Sequence, residues 1–507
     1  MDGNKFDIVI IGSGLGGLAC GYILSKEGYS VCILEKNQQF GGSLQDFKHD
    51  GVTFDTGVHY VGGLDEGQSL HQYFKYFNIL DKLKYKRMDA GGFEHISYDN
   101  DNSFYKYGIG RENFVEILAQ EFPKEKESLQ KFVKEIREIG LRYPFYHLTD
   151  NAYHDTLNFD FLDVSIAKYF NEHFKSEKLK SILGGNNLLY AGNIENSTLY
   201  EHALITNSYI ESAYRFTGGA GQIAKYLVRN IRANGGVVKR YQNVEKFIAK
   251  DKEIISVKLK TGETYFAKKF ISNIHPINTL KMVEGAHIRN AYINRLNSIK
   301  NSSSAYSMHI VLKDKEKMPY QNYNHYHFKD YNVWNGEFYN KNNWPLNYMA
   351  FTPVNPKSNK WAESVIAIAY MNFEDVEEWK NTENVAGFEE ERGKMYAEFK
   401  EKHNEIFLKE VYKVMPQLKG NIKSINVSTP LTYRDYLYSP NGSIYGYSKD
   451  YKNPLKAYIS PQTKLNNLFF TGQNVNLHGV LGVTVSAFMT CGEIMGKEYL
   501  YDKVKMK

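Results

Sequence analysis

Cysteine is scarce in this chain. Cys20, Cys32 and Cys491 form neither a disulfide framework nor a zinc-ligand pattern, which favours a reducing compartment. Long apolar runs are missing too. No stretch approaches the roughly 18 apolar residues of a membrane-crossing helix, so no helical span is expected. The start, Met1-Asp2-Gly3-Asn4-Lys5, shows no signal-peptide pattern, and a cytoplasmic location is expected. Charge is close to balanced: 63 Lys and Arg against 57 Asp and Glu leave +6. That excess does not argue for nucleic acid and aids contact with an anionic bilayer only weakly. No P-loop, zinc pattern or nucleophile–base–acid set is present. The chain does have bulk. Its 507 residues are 42% hydrophobic and include 40 Tyr and 30 Phe, which excludes global disorder. The length fits two or three domains.

Phe6 to Ile11 (FDIVII) reads as a buried parallel strand. Gly12-Ser13-Gly14-Leu15-Gly16-Gly17 follows, then a helix ending near Gly28, then a second strand, Ser30 to Leu34, closed by Glu35. This is the dinucleotide fingerprint in its full setting. Gly12 allows the tight turn, Gly14 lets backbone approach a pyrophosphate, and Gly17 lets helix pack on strand. The helix N-terminus offers free N–H groups to phosphate. Glu35, 18 residues after Gly17, can take ribose hydroxyls. The motif alone does not choose between FAD and NAD.

Two further segments favour FAD. Lys36 to Gly63 holds a Gly41-Gly42 pair and FDTGVHYVGG, which a nicotinamide dehydrogenase does not carry there. Residues 466–496 read as a strand (Leu468 to Thr471), a glycine turn, and a helix of small residues starting near Gly482. On these pieces, with T-Y-R-D-Y…S-P-N-G-S-I-Y-G at 432–446, the chain resembles the FAD-dependent amine-oxidase-like superfamily. Within it the likeness is to phytoene desaturases, carotenoid isomerases and retinol saturases, most of all the retinol saturase-like branch. The likeness is strong at both ends and weaker in the middle.

The resemblance implies an α/β fold. A Rossmann-like, three-layer FAD-binding domain of the glutathione-reductase-2 type would be built from residues 1–65, 215–285 and 455–507. An α+β substrate domain would come from 66–214 and 286–454. It implies that Gly12, Ser13, Gly14, Leu15, Gly16, Gly17, Glu35 and Lys36 hold the adenosine and pyrophosphate of a non-covalent FAD, with Val244 near the adenine. Gly42 and Ser43 would serve the phosphates, Ser43 standing where relatives often have Arg. Gly57, Val58 and His59 would run beside the isoalloxazine. Gly472 and Gln473 would meet the ribityl chain, with Gln where many flavoproteins have Asp. Gly482, Val483 and Thr484 would place a helix N-terminus at the flavin edge.

His59 is the candidate catalytic residue, either in proton transfer or in packing under the ring. His478 reads as a capping or structural residue and Cys491 as a buried small one. The resemblance also puts Tyr445 on the substrate side. Residues 320–344 read as a polar, aromatic strand-and-loop region, with His325 and His327 as a surface pair. A second G-x-G-x-x-G is absent, so no dedicated NADPH domain is expected, and the electron donor or acceptor stays open. The expected function is reduction of a C=C bond in an apolar polyene, of the retinol 13,14-reductase kind. Carotenoid isomerisation or phytoene-type desaturation, amine oxidation, and non-catalytic prenyl-lipid carriage are the alternatives. Peripheral membrane contact follows if the substrate comes from a bilayer; the sequence leaves the oligomeric state open.

Overall fold

Ile8, Val9, Ile10 and Ile11 set up the first sheet. Ile8 and Ile10 join one hydrophobic cluster, and Val9 and Ile11 join another. A strand buried on both faces belongs in the middle of a parallel sheet. In the computed structural model, which describes residues 4–148, 161–314 and 317–505, Lys5–Ile11 runs parallel to Val31–Leu34 and to Thr264–Ser272. Met1, Asp2 and Gly3, part of the amino terminus read above, lie outside the described residues.

Val237–Lys239 extends this sheet beyond Val31–Leu34. Thr264–Ser272 is divided lengthwise. Its first half pairs antiparallel with Glu253–Leu259, and its last residues pair parallel with Leu468–Phe470. Helices Leu15–Lys26, Gly221–Ala233 and Gly479–Met495 cover one face. The hairpin Val244–Lys250 and Glu253–Leu259 packs Phe247, Ile254 and Val257 on the other. Three layers result, as expected. Each fully buried Ile or Leu here is worth about 1.5–3 kcal/mol.

A second, seven-stranded sheet runs in the order Ile422–Ser428, Ser304–Leu312, Ser364–Met371, Asn347–Phe351, Asn324–Phe328, Glu94–Tyr98, Asp101–Tyr107. All its pairings are antiparallel except Asn324–Phe328 with Glu94–Tyr98. One face packs on helices such as Arg111–Glu121, Lys126–Leu141 and Leu199–Glu211. The other packs on the long helix Gly393–Val414.

The predicted strands Ser30 to Leu34 and Leu468 to Thr471 appear one residue shorter, as Val31–Leu34 and Leu468–Phe470. Caps set the starts of two helices of the middle region: Ser165 Oγ accepts from Lys168 N and Thr198 Oγ1 from Glu201 N, so they begin at Ile166 and Leu199. The reading of His325 and His327 as a surface pair is wrong. Both are buried, because Asn324–Phe328 is an inner strand covered on both faces. His327 bonds Ser97 Oγ (2.9 Å) and Asp99 (2.9 Å), and burial holds its pKa below the ordinary value. Asp99, His327 and Glu410 do converge, but Lys413 already supplies the cation, 2.6 Å from Asp99 and 2.7 Å from Glu410.

Candidate functional site

The glycine turn is shaped by what side chains would strike. A Cβ on Gly17 would lie 2.1 Å from the Gly12 carbonyl oxygen, and one on Gly16 2.9 Å from Gly472 Cα. Gly12 itself has φ +91°, which favours glycine. Asn273, at the end of the shared strand, wedges its amide between the two termini. It faces Gly14, Gly16 and Gly472 at once. Sequence reading missed Asn273 as a site residue; its place directly after a buried strand end was the available signal.

Beside this turn opens a cavity of about 1190 Å³. Gly12, Gly14, Leu15 and Gly16 line it, as do Glu35, Lys36 and Val244 towards one end. Gly42 and Ser43 line it at the 3₁₀ turn Gly42–Leu44, and Gly57, Val58 and His59 follow. From the carboxyl-terminal part come Gly472, Gln473 and Val483. Four predicted residues stay out of the lining. Ser13 is buried and donates its hydroxyl to Glu35 (2.6 Å). Gly17 and Gly482 serve packing, a Cβ on Gly482 meeting Leu477 backbone at 2.7 Å. Thr484 is buried and donates to the Val480 carbonyl (2.7 Å).

The helix that follows Gln473 therefore needs a correction. It starts at Gly479, not near Gly482. Gly479, at φ +69°, and Val480 line the cavity in place of Gly482 and Thr484. His478 precedes this helix without a side-chain cap bond. Instead its Nε2 bonds the Leu189 carbonyl (2.8 Å), tying the helix start to the middle of the chain. Cys491 is buried and lies outside the lining.

The residues present fit FAD. Glu35 receives Ser13 N (2.9 Å) and Asn37 N (2.9 Å), which aims its carboxylate while leaving acceptor capacity for ribose hydroxyls. A Cβ on Gly479 would meet no atom within 4 Å, so the helix start faces open space, where its N–H dipole end favours negative charge. His59 Nδ1 is buried without a partner. Burial, then the nearby His309 and Arg215, push its pKa down to about 3, so the imidazole is neutral at pH 7. Asp55 of the DTGVH segment accepts from Ala220 N (2.6 Å), pinning the helix Gly221–Ala233 to this wall. Lys36 donates to the Asp435 carbonyl (2.8 Å), while Asp435 is clamped by Arg392 and Arg434. That clamp holds the wall segment containing Glu383 to Val385.

Beyond His59 the cavity is lined by Leu188, Leu189, Met349 and Ile368, and by the rings of Tyr209, Tyr326, Tyr370, Tyr433 and Tyr445. The tyrosine hydroxyls are committed to protein. Tyr445 donates to Leu188 O (3.0 Å), Tyr433 pairs with Ser307 (2.7 Å), and Tyr326 pairs with Tyr60 (2.6 Å). Their faces are left as apolar surface. Aromatic lining thus comes from five separate segments rather than from residues 320–344 alone.

A family model described as flavin containing amine oxidoreductase matches residues 15–313. The all-trans-retinol 13,14-reductase of Macaca fascicularis is 26% identical, covering 99% of this chain and 87% of that protein. The chloroplastic prolycopene isomerase 2 of an Oncidium hybrid cultivar is 24% identical over 99% of this chain and 86% of its own length. Among solved structures, putrescine oxidase bound to putrescine superimposes with a TM-score of 0.64 at 14% identity, covering 98% of both chains.

Proposed function

The chain belongs to the flavin containing amine oxidoreductases and is an FAD-dependent oxidoreductase, and on that premise we propose that it reduces a C=C bond of an apolar polyene, of the kind its retinol 13,14-reductase relatives act on. The carrying observation is the far end of the cavity. Five tyrosine rings and four aliphatic side chains face it, and the tyrosine hydroxyls are spent elsewhere. A long apolar chain would displace water there at little polar cost.

FAD, when bound, supplies hydride chemistry at its N5. Glu35 and the glycine turn Gly12 to Gly17 would hold its adenosine and pyrophosphate, with Val244 at the adenine and Lys36, Gly42 and Ser43 alongside. Gln473 and Gly472 would meet the ribityl chain, and Gly479, Val480 and Val483 the ring edge. His59 is the candidate catalytic residue, a neutral imidazole that hydrogen-bonds at the reacting end. Binding is non-covalent, since Cys491 lies away from the lining. The FAD-binding part comprises 1–65, 215–285 and 455–507, and the substrate part 66–214 and 286–454, a division that strand membership of the two large sheets supports. Peripheral membrane contact belongs to the same reading, because the substrate partitions into bilayers; no helix among the described residues is long and apolar enough to cross one.

Isomerisation is the second reading, favoured by the prolycopene isomerase likeness. Anaerobic mixing of chemically reduced, FAD-loaded protein with all-trans-retinol separates the two. Flavin reoxidation with a two-hydrogen mass gain supports reduction, and a new isomer of unchanged mass supports isomerisation. Recovery of unchanged retinol refutes the proposal.

A further inference from the structure

Saturating a C=C bond needs a proton as well as a hydride, and the wall opposite the glycine turn holds a buried source. Tyr60 and Tyr326 both line the cavity. Their hydroxyls lie 2.6 Å apart, and Tyr60 Oη is also 2.6 Å from Glu94 Oε1. Glu94 is fully buried, and its Oε2 has no partner. Strand register creates the arrangement. Glu94 lies beside Asn324, and Tyr326 two residues on lies beside Ile96, so Glu94 and Tyr326 project from the same sheet face. Tyr60 arrives from the loop that also carries His59. Tyr326 and Glu94 are both fully buried, and of the three only Tyr60 keeps exposed surface beside the cavity.

We infer that Glu94 and Tyr60 form a proton-delivery chain to the substrate, with Tyr60 as the group that touches it and Tyr326 bracing the Tyr60 hydroxyl. This rests on the polyene-reduction reading. In the balanced step, one alkene carbon gains hydride from reduced flavin, the two-electron reductant. Its neighbour gains the Tyr60 phenolic proton, and the Glu94 carboxyl proton passes to Tyr60. The alkene becomes CH–CH, the flavin is oxidised, and Glu94, left as carboxylate, regains a proton from water.

His59 is a poorer source. It is neutral, and its Nδ1 has no donor behind it to refill the ring. Glu94 is suited to the task, because burial pushes its pKa up to about 8, keeping the carboxyl protonated at pH 7. The titratable groups facing this chain are Tyr107 on the neighbouring strand, Tyr209 on the helix Leu199–Glu211, Tyr445, and the buried Arg215. Burial raises the pKa of the three tyrosines, so none ionises near pH 8. Tyr60 acts on the proton directly, whereas Glu94 acts through Tyr60 as a positioning and refilling residue.

The test uses FAD-loaded protein reduced with dithionite and mixed anaerobically with all-trans-retinol. Tyr60→Phe and Glu94→Gln should each slow the single-turnover rate by about 100-fold, the usual scale of a lost general acid. The bound-flavin spectrum and the retinol concentration for half-saturation should stay unchanged. Glu94→Gln keeps the shape and an acceptor for Tyr60, which guards against misfolding. A second readout needs no turnover. Infrared difference spectra should show a carboxylic-acid carbonyl band that disappears as pH rises through about 8 and is missing in Glu94→Gln. A wild type that reduces retinol while both variants keep its rate overturns the proton chain and leaves the reductase reading standing. A band present only below pH 5 also overturns the chain. A wild type that leaves retinol untouched overturns the reductase reading and, with it, the chain.

Discussion

Gly17→Ala sets two effects of opposite sign against each other. Position 17 lies inside the helix Leu15–Lys26, where alanine is preferred to glycine by about 0.8–1 kcal/mol. Propensity alone therefore predicts stabilisation. Yet the added methyl would lie 2.1 Å from the Gly12 carbonyl oxygen, more than 1 Å inside a normal C···O separation of about 3.3 Å. The oxygen is backbone and cannot rotate away, so the helix must lift off the strand. Overpacking of this kind costs about 1–3 kcal/mol. At a 2.1 Å approach to backbone the steric cost sits at the upper end of that range and wins, leaving a net loss of about 2 kcal/mol and a lower melting temperature. The same displacement spoils the turn that faces the pyrophosphate, so the FAD dissociation constant should rise at least about tenfold. Gly21→Ala is the internal control. Its methyl meets only the end of the Ile33 side chain, at 2.5 Å, which can swing aside, and it should leave FAD binding unchanged. Thermal melts of apo protein and fluorescence titration with FAD give both numbers. A Gly17→Ala protein that melts at or above wild type and keeps its FAD would refute the reasoning.

Glu35→Gln should weaken FAD binding about tenfold to a hundredfold with little change in melting temperature, because the amide oxygen can still accept from Ser13 but loses the charge-assisted ribose bonds; isothermal titration measures it. Acid should destabilise the fold through its buried histidines. His202 is fully buried and held down to about 3 by desolvation. Between pH 6.5 and about 3 the unfolded chain binds a proton that the folded one refuses, so stability falls as pH drops through that window. Urea midpoints at pH 7 and pH 5 should differ less in His202→Gln than in wild type. Arg392→Met should cost about 3 kcal/mol by leaving Asp435 buried with only Arg434 as ion-pair partner, and should speed FAD release by freeing the cavity wall; stopped-flow loss of flavin after dilution reports it.

The nucleotide half was legible because its signals are local. Ile8 to Ile11 is buried on both faces, so its burial shows as an unbroken apolar run, and the glycines follow at once. The substrate half hides the same degree of burial under polar letters. Asn324, His325 and His327 look like surface residues, yet all are buried; Asn324 and His327 find partners far away in the chain, Arg215 and Asp99, and His325 bonds the nearby Gln321. The start of the helix Gly479–Met495 was misplaced by three residues because Gly482 resembles a helix-opening glycine, whereas the residue with φ +69° is Gly479. Asn273, Glu94 and Tyr326 carry no motif at all, and nothing in FDTGVHYVGG singles out Tyr60. Their meaning arises only when strand pairing brings them together.

The strand Thr264–Ser272 has a consequence for biosynthesis. Its closing residues wait for Leu468–Phe470, and the helix that completes the flavin slot comes later still. A nascent polypeptide halted before Leu468 holds the glycine turn and Glu35 but lacks the wall from Gly472 to Val483, so coenzyme capture waits for that segment. Partial chains of that kind expose an unpaired parallel edge on a sheet otherwise ready to pack, and they are the species most in need of a chaperone.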